Sequence, residues 1–161
     1  VAGLPNSAGS RVLADLVPAQ DAAAVARLRE AGAIILGKTN MHELVFGAPS
    51  ANGPFGPVRN PAGPDRFAGG SSSGTAAAVA CGAAPAGPGT DTGGSVRIPA
   101  TLTGIAALRP TTGRYPGKGG HPAVPGDMRH GRRHGADRRR TGPPRRGAGC
   151  RSGPCRTAAR P

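Results

Sequence analysis

Residues 68–100 read AGGSSSGTAAAVACGAAPAGPGTDTGGSVRIPA, and in this stretch a glycine pair precedes a serine twice, at Gly69-Gly70-Ser71 and Gly93-Gly94-Ser95, 24 residues apart. Glycine before serine admits backbone conformations closed to other residues, and successive N–H groups in such a turn can converge on one point. An acyl-transfer site needs that arrangement around a developing oxyanion. Linkers and phosphate-binding loops also use Gly-Ser clusters, but neither turn carries the Gly-Lys-Ser or Gly-Lys-Thr of a Walker loop. Between the turns, Ser71-Ser72-Ser73-Gly74 opens an alanine run that ends at Gly82. This predicts a helix whose serine-rich N-terminus offers unpaired N–H groups and a partial positive charge.

Upstream, Asp21 to Gly32 (DAAAVARLREAG) is alanine-rich with Val25 and Leu28 at helical spacing and Gly32 where a helix stops. It predicts about three helical turns. Ala33-Ile34-Ile35-Leu36 then forms a short apolar run between glycines, the pattern of a strand buried on both faces. Helix followed at once by buried strand implies an α/β layer architecture. A second helix is expected over Thr39 to Phe46, capped by Thr39 or Asn40. Ser50 to Gly70, dense in proline and glycine, reads as one long loop.

The chain has two unlike parts. Up to Tyr115 there are 9 Lys and Arg against 6 Asp and Glu, whereas residues 116–161 carry 12 against 2. Large apolar residues divide the other way, 25 against only Val124 and Met128. The tail therefore has almost nothing to bury against the entropy of ordering it, roughly 1–2 kcal/mol per residue for the backbone. No collagen-like glycine period, membrane-length apolar run or signal pattern is present. Cys81, Cys150 and Cys155 are an odd number at no metal spacing, which favours a reducing compartment or simple accident, with the cytoplasm as default. Val1 is not a methionine, so the sequence is expected to begin within a longer reading frame.

The strings GAIILGKTNMHELVFG, GPVRNP, AGGSSSGTAAAVACG, GTDTGGSVRIPA and ALRPTTGRYP, in this order and at close spacing, resemble the amidase signature family of Ser-cisSer-Lys hydrolases over essentially Val1 to Gly119. The opening VAGLPNSAGSRVLADLVP and the ending RPTTGRYPGKG are most similar to bacterial amidases of the indoleacetamide and mandelamide type. The resemblance implies an α/β fold with a mixed central sheet flanked by helices, of which residues 1–119 form part of the catalytic core. It also implies hydrolysis of a small-molecule amide to acid and ammonia or amine, with no metal or organic cofactor. Ser95 would be the nucleophile that forms an acyl-enzyme, and Ser71, after a cis peptide bond, the bridging serine. The N–H groups of Thr92, Gly93, Gly94 and Ser95 would form the oxyanion hole. Asp91 and Arg97 would brace the turn, with Ser72 in the same network. His42 and Glu43 are read as surface or supporting residues, and Cys81 as buried and inert.

Three departures from the family stand out. Its general-base lysine lies a few residues upstream of the position matched by Val1, so this chain is expected to be inactive alone; Lys38, in its GKTN context, matches a different family position. Ala86-Gly87-Pro88 stands where apolar strand residues are usual, and proline removes a ladder hydrogen bond. Ser73 and Thr75 replace the usual glycine and serine. After Gly119 the resemblance stops, and residues 120–161 are expected to be an unstructured basic tail read out of frame: taken from the second base of each codon, Gly120 to Gly147 can encode VIPLSRETCGTVGAMARTVAELALLDAV, a family-like continuation. The alternative takes the tail at face value, as a nucleic-acid-binding segment working through phosphate contacts, although it lacks an aromatic or helical reading element. A zinc site from His130, His134, Cys150 and Cys155 would lack apolar support.

Overall fold

The computed structural model describes residues 1–50 and 54–115 and the backbone of residues 131–135. Three helices, α1 (Ala23–Glu30), α2 (Ser73–Ala80) and α3 (Arg97–Thr103), accompany four strands, β1 (Arg59–Asn60), β2 (Gly63–Phe67), β3 (Ala86–Thr90) and β4 (Gly131–Gly135). β1 pairs with β2 and β3 with β4, both antiparallel, so the α/β fold expected from the sequence is present with its described strands in two ribbons.

α1 and α2 end as their sequences predict. Gly32 and Gly82 each take φ of +80° shortly past the helix. In α1, Gly32 N–H bonds Arg29 C=O and Ala33 N–H bonds Leu28 C=O; in α2, Gly82 bonds Val79 and Ala83 bonds Ala78. These paired bonds are the Schellman arrangement, which satisfies the last carbonyls of a helix. α1 is held to the start of the chain by Asp21, which accepts from Ala2 N–H at 2.7 Å and pairs with Arg29 at 3.0 Å.

Other local expectations give way to tertiary demands. Ala33–Leu36 forms no strand: no described strand lies beside it to take its hydrogen bonds, and Ile34 is 86% exposed. The helix expected over Thr39–Phe46 shrinks to a single 3₁₀ turn at Glu43–Val45. Its donors are drawn away, His42 N–H to Ser71 C=O at 3.0 Å and Leu44 N–H to Ala8 C=O at 2.9 Å. The loop expected from Ser50 to Gly70 contains the β1–β2 hairpin, whose turn is fixed by Asn60 Oδ1 accepting Ala62 N–H at 3.0 Å. Asn-Pro-Ala-Gly at 60–63 is a turn signal of this kind. β3 runs through Pro88 despite its missing N–H, in register with Arg133; a two-stranded ribbon leaves each strand one edge that asks for no ladder bond. Most of the tail lies outside the described residues, so its expected disorder and shifted frame are not described; within it only the backbone of β4 is, drawn to the open edge of β3.

The core is made of small side chains: Ala8, Ala68, Ala76, Val79, Val96 and Ala100 are its buried apolar residues. Small residues let backbones approach, and the N-terminus of α2 is threaded between two segments. On one side Gly74 N–H bonds Asn40 C=O at 2.9 Å. On the other, Thr75 Oγ1 donates to Pro88 C=O at 3.2 Å. A Cβ on Gly74 would overlap the Asn40 backbone. Gly74→Ala should therefore destabilise the chain by about 1–3 kcal/mol in urea unfolding, opposite in sign to the gain of roughly 0.5–1 kcal/mol that alanine brings to an open helical position.

Candidate active site

Both Gly-Gly-Ser turns meet at the start of α2. Ser72 N–H donates to Ser95 C=O at 3.1 Å, which lays the second serine turn against the first. Ser72 Oγ accepts Thr90 N–H at 3.0 Å and donates to Thr90 C=O at 3.1 Å, fixing the end of β3 in the same place. Thus Ser72, expected only to support the network, is the residue that ties both turns and the strand together.

Ser71 is fully buried, the Gly70–Ser71 peptide bond is cis, and the Ser71 hydroxyl has no hydrogen-bond partner among the described residues. A buried hydroxyl without a partner costs about 1–3 kcal/mol. Ser73 and Thr90 carry unpartnered buried hydroxyls as well. Ser95, half-buried, lies at the end of a turn whose outer part, Thr92-Gly93, is exposed. Among the described residues the N–H groups of Thr92, Gly93 and Ser95 make no hydrogen bond, whereas Gly94 N–H turns inward to Asp91 Oδ1 at 2.9 Å. Gly94 adopts φ of +132°, and a Cβ there would come within 2.9 Å of Ile98.

Asp91 shapes this turn. Its carboxylate, with no exposed side-chain surface, also accepts Val96 N–H at 3.3 Å and both ends of the Arg97 guanidinium, at 3.0 and 3.2 Å. Arg109 approaches from beyond α3, 3.6 Å from Oδ1. Arg109 stands outside the expected set; the sequence shows it only as the arginine of ALRPTTG, with nothing to name its partner. Burial by itself would raise the Asp91 carboxyl, but the Arg97 hydrogen bonds, the Val96 N–H, the Arg97 charge and the Gly94 N–H together hold it below its ordinary value.

Lys38 serves a different place. Its ammonium donates to Pro5 C=O at 2.6 Å and Asn6 Oδ1 at 2.8 Å, at the edge of a cleft of about 260 Å³ lined by residues 5–9, 38–41 and Phe55. Partial burial lowers its pKa, and no hydrogen bond joins it to either candidate serine. Thr75 engages Thr39 Oγ1 at 3.0 Å, so the threonine substituted in the motif joins two segments. His42 is buried rather than on a surface helix, and Cys81 is exposed rather than buried. Of the zinc candidates only His134 falls within a described element, β4, and no described helix is long and apolar enough to cross a membrane.

Comparisons with known proteins place the chain in a family. A family model described as Amidase matches residues 1–131. Indoleacetamide hydrolase of Pseudomonas savastanoi is 56% identical over 115 residues, covering 71% of this chain and 25% of that protein. One of the subunits of the glutamyl-tRNA(Gln) amidotransferase of Nitratidesulfovibrio vulgaris is 58% identical over 113 residues, 70% of this chain and 23% of that polypeptide. A crystal structure of an amidase superposes with a TM-score of 0.71 at 46% identity, over 83% of this chain and 30% of the other. The chain belongs to the amidase family. It spans about a quarter of the length of the curated relatives it matches.

The Asp91 network predicts acid sensitivity. A carboxyl whose folded pKa lies below its unfolded value of 3.8 contributes stability that is complete above that value and is lost as pH falls through the folded one. Urea unfolding midpoints should decline below about pH 4. Asp91→Asn should remove this part of the decline and lower stability at pH 7 by about 1–3 kcal/mol.

Proposed function

We propose that this chain carries the reacting serines of an amide hydrolase, with Ser95 as nucleophile and Ser71 as bridging serine. The Ser72 N–H to Ser95 C=O bond carries the reading, because it joins the turn of half-exposed Ser95 to the residue that follows Ser71, a buried serine whose hydroxyl has no partner among the described residues. In this mechanism Ser71 takes the proton of Ser95 and passes its own hydroxyl proton to the lysine that the resemblance places upstream of Val1, as the Ser95 oxygen bonds to the amide carbonyl carbon. The carbonyl electron pair moves onto oxygen, where the N–H groups of Thr92, Gly93 and Ser95, which have no partner among the described residues, stabilise it. Collapse breaks the C–N bond, and the proton returns through Ser71 to the leaving amine. Water then cleaves the ester, giving the acid and restoring Ser95.

Asp91 and Arg97 act on this reaction by holding the turn, not by touching the substrate. Gly94 belongs with them, since its N–H is already donated to Asp91. The resemblance assigns the final proton acceptor to a lysine upstream of the position of Val1. Lys38 is not cast in that role, its ammonium being committed to Pro5 and Asn6. The name of the Pseudomonas relative makes indoleacetamide the first amide to assay.

Turnover is measured as ammonia release from indoleacetamide, on the chain as given and on one extended upstream in its gene. Acylation is read separately by fluorophosphonate labelling and peptide mapping. Label should fall on Ser95 and disappear in Ser95→Ala; Ser71→Ala should slow labelling by about 10²- to 10⁴-fold, the range of an acid–base relay. Labelling that survives Ser95→Ala, or maps to another serine, would overturn the assignment.

A further inference from the structure

We infer that His42 is a positioning residue for Ser71, acting through a loop that its imidazole holds behind the Gly70–Ser71 peptide. The inference rests on the reading of Ser71 as the bridging serine. Three observations converge on His42, which is buried with 7% of its surface exposed. Its backbone N–H donates to the Ser71 carbonyl at 3.0 Å. Its ring Nδ1 bonds the Pro49 carbonyl, and because a carbonyl oxygen only accepts, Nδ1 carries the proton. The ring also lies against the backbone of Gly47, where a Cβ would overlap it.

Residues 47–49 are thereby gripped by the imidazole. The same residues meet Gly70: a Cβ there would come within 2.8 Å of Ala48 O and 3.1 Å of Gly47 O. One residue therefore holds the Ser71 carbonyl directly and, through its ring, the wall on which Gly70 rests. The segment before it is fixed from elsewhere, since a Cβ on Gly9 would come within 2.6 Å of Met41 O and Leu44 N–H is donated to Ala8. The backbone on both sides of His42 is therefore anchored to the opening of the chain, so that loss of the imidazole frees residues 47–49 and shifts Ser71 relative to Ser95.

The donor's position on the ring gives a test that separates this role from plain packing. An asparagine amide reaches about as far as Nδ1, whereas glutamine carries its amide out toward Nε2. His42→Asn, His42→Gln and His42→Leu are compared in the full 161-residue chain by two measurements: hydrogen exchange of the residue-42 amide, which reports its bond to Ser71 C=O, and the rate of fluorophosphonate labelling of Ser95. In His42→Gln and His42→Leu, exchange should quicken by about tenfold and labelling slow by about 10- to 100-fold, as expected when a reacting group is misplaced. His42→Asn should restore both to within about threefold of wild type. Should His42→Leu fail to fold, the Asn and Gln pair, alike in polarity, decides. Equal exchange in Asn and Gln variants, or wild-type protection in Gln, overturns the inference. If Ser95 takes no label even in the chain extended upstream in its gene, the hydrolase reading fails, and the exchange measurement still decides whether His42 holds Ser71.

Discussion

The Asp91 carboxylate is enclosed with no exposed side-chain surface, and its acceptor sites are filled by the Gly94 and Val96 N–H groups and the guanidinium of Arg97, with Arg109 close by. A carboxylate withdrawn from water is tolerable only when its lone pairs are met in this way. The rest of the site follows from that requirement. To reach Asp91, the chain from 91 to 97 must curl around it, and the curl turns the Gly94 N–H inward while leaving those of Thr92, Gly93 and Ser95 without partners among the described residues. Burial pushes toward protonation, but the donors win, so the centre of the turn stays anionic and the turn stays closed.

Around this hub the fold relies on close backbone approach more than on apolar bulk. Among the described residues the buried apolar side chains are alanines, valines and Pro99, and several of the contacts that define the site are hydrogen bonds between segments distant in sequence: Ser72 to Ser95, Ser72 to Thr90, Gly74 to Asn40, His42 to Ser71. Alanine and glycine bring little hydrophobic stabilisation at roughly 25 cal/mol per Å² of apolar surface, but they allow main chains to come within hydrogen-bonding distance. The start of α2 gains most from this. Its serines stand between the segment at 39–42 and the end of β3, so both sides of the candidate site are fixed from one helix terminus.

Large exposed side chains complete the picture. Val12, Ile34, Leu36 and Phe46 are each at least 71% exposed, while Ser71, Ser72 and Asp91 at the two serine turns are enclosed. The two serine turns are thus enclosed while much apolar surface elsewhere in the described residues is open to solvent.

What the sequence determined by itself is local. Alanine runs closed by Gly32 and Gly82 specify α1 and α2, because helix propensity and a left-handed stop act within a few residues. The two Gly-Gly-Ser turns likewise mark where the candidate reacting groups lie, and the ordered motifs carry the family. The strand expected at Ala33–Leu36 and the helix expected at Thr39–Phe46 do not form, because a strand needs a partner and a short helix loses its donors to better acceptors far along the chain. Only the tertiary structure decided that Arg109 joins Asp91, that the His42 N–H meets the Ser71 carbonyl and that the Gly94 N–H turns to Asp91. Each is a contact across 3 to 29 residues, set by which backbone groups had to be satisfied once the chain was folded, and side-chain type alone carries no record of that competition.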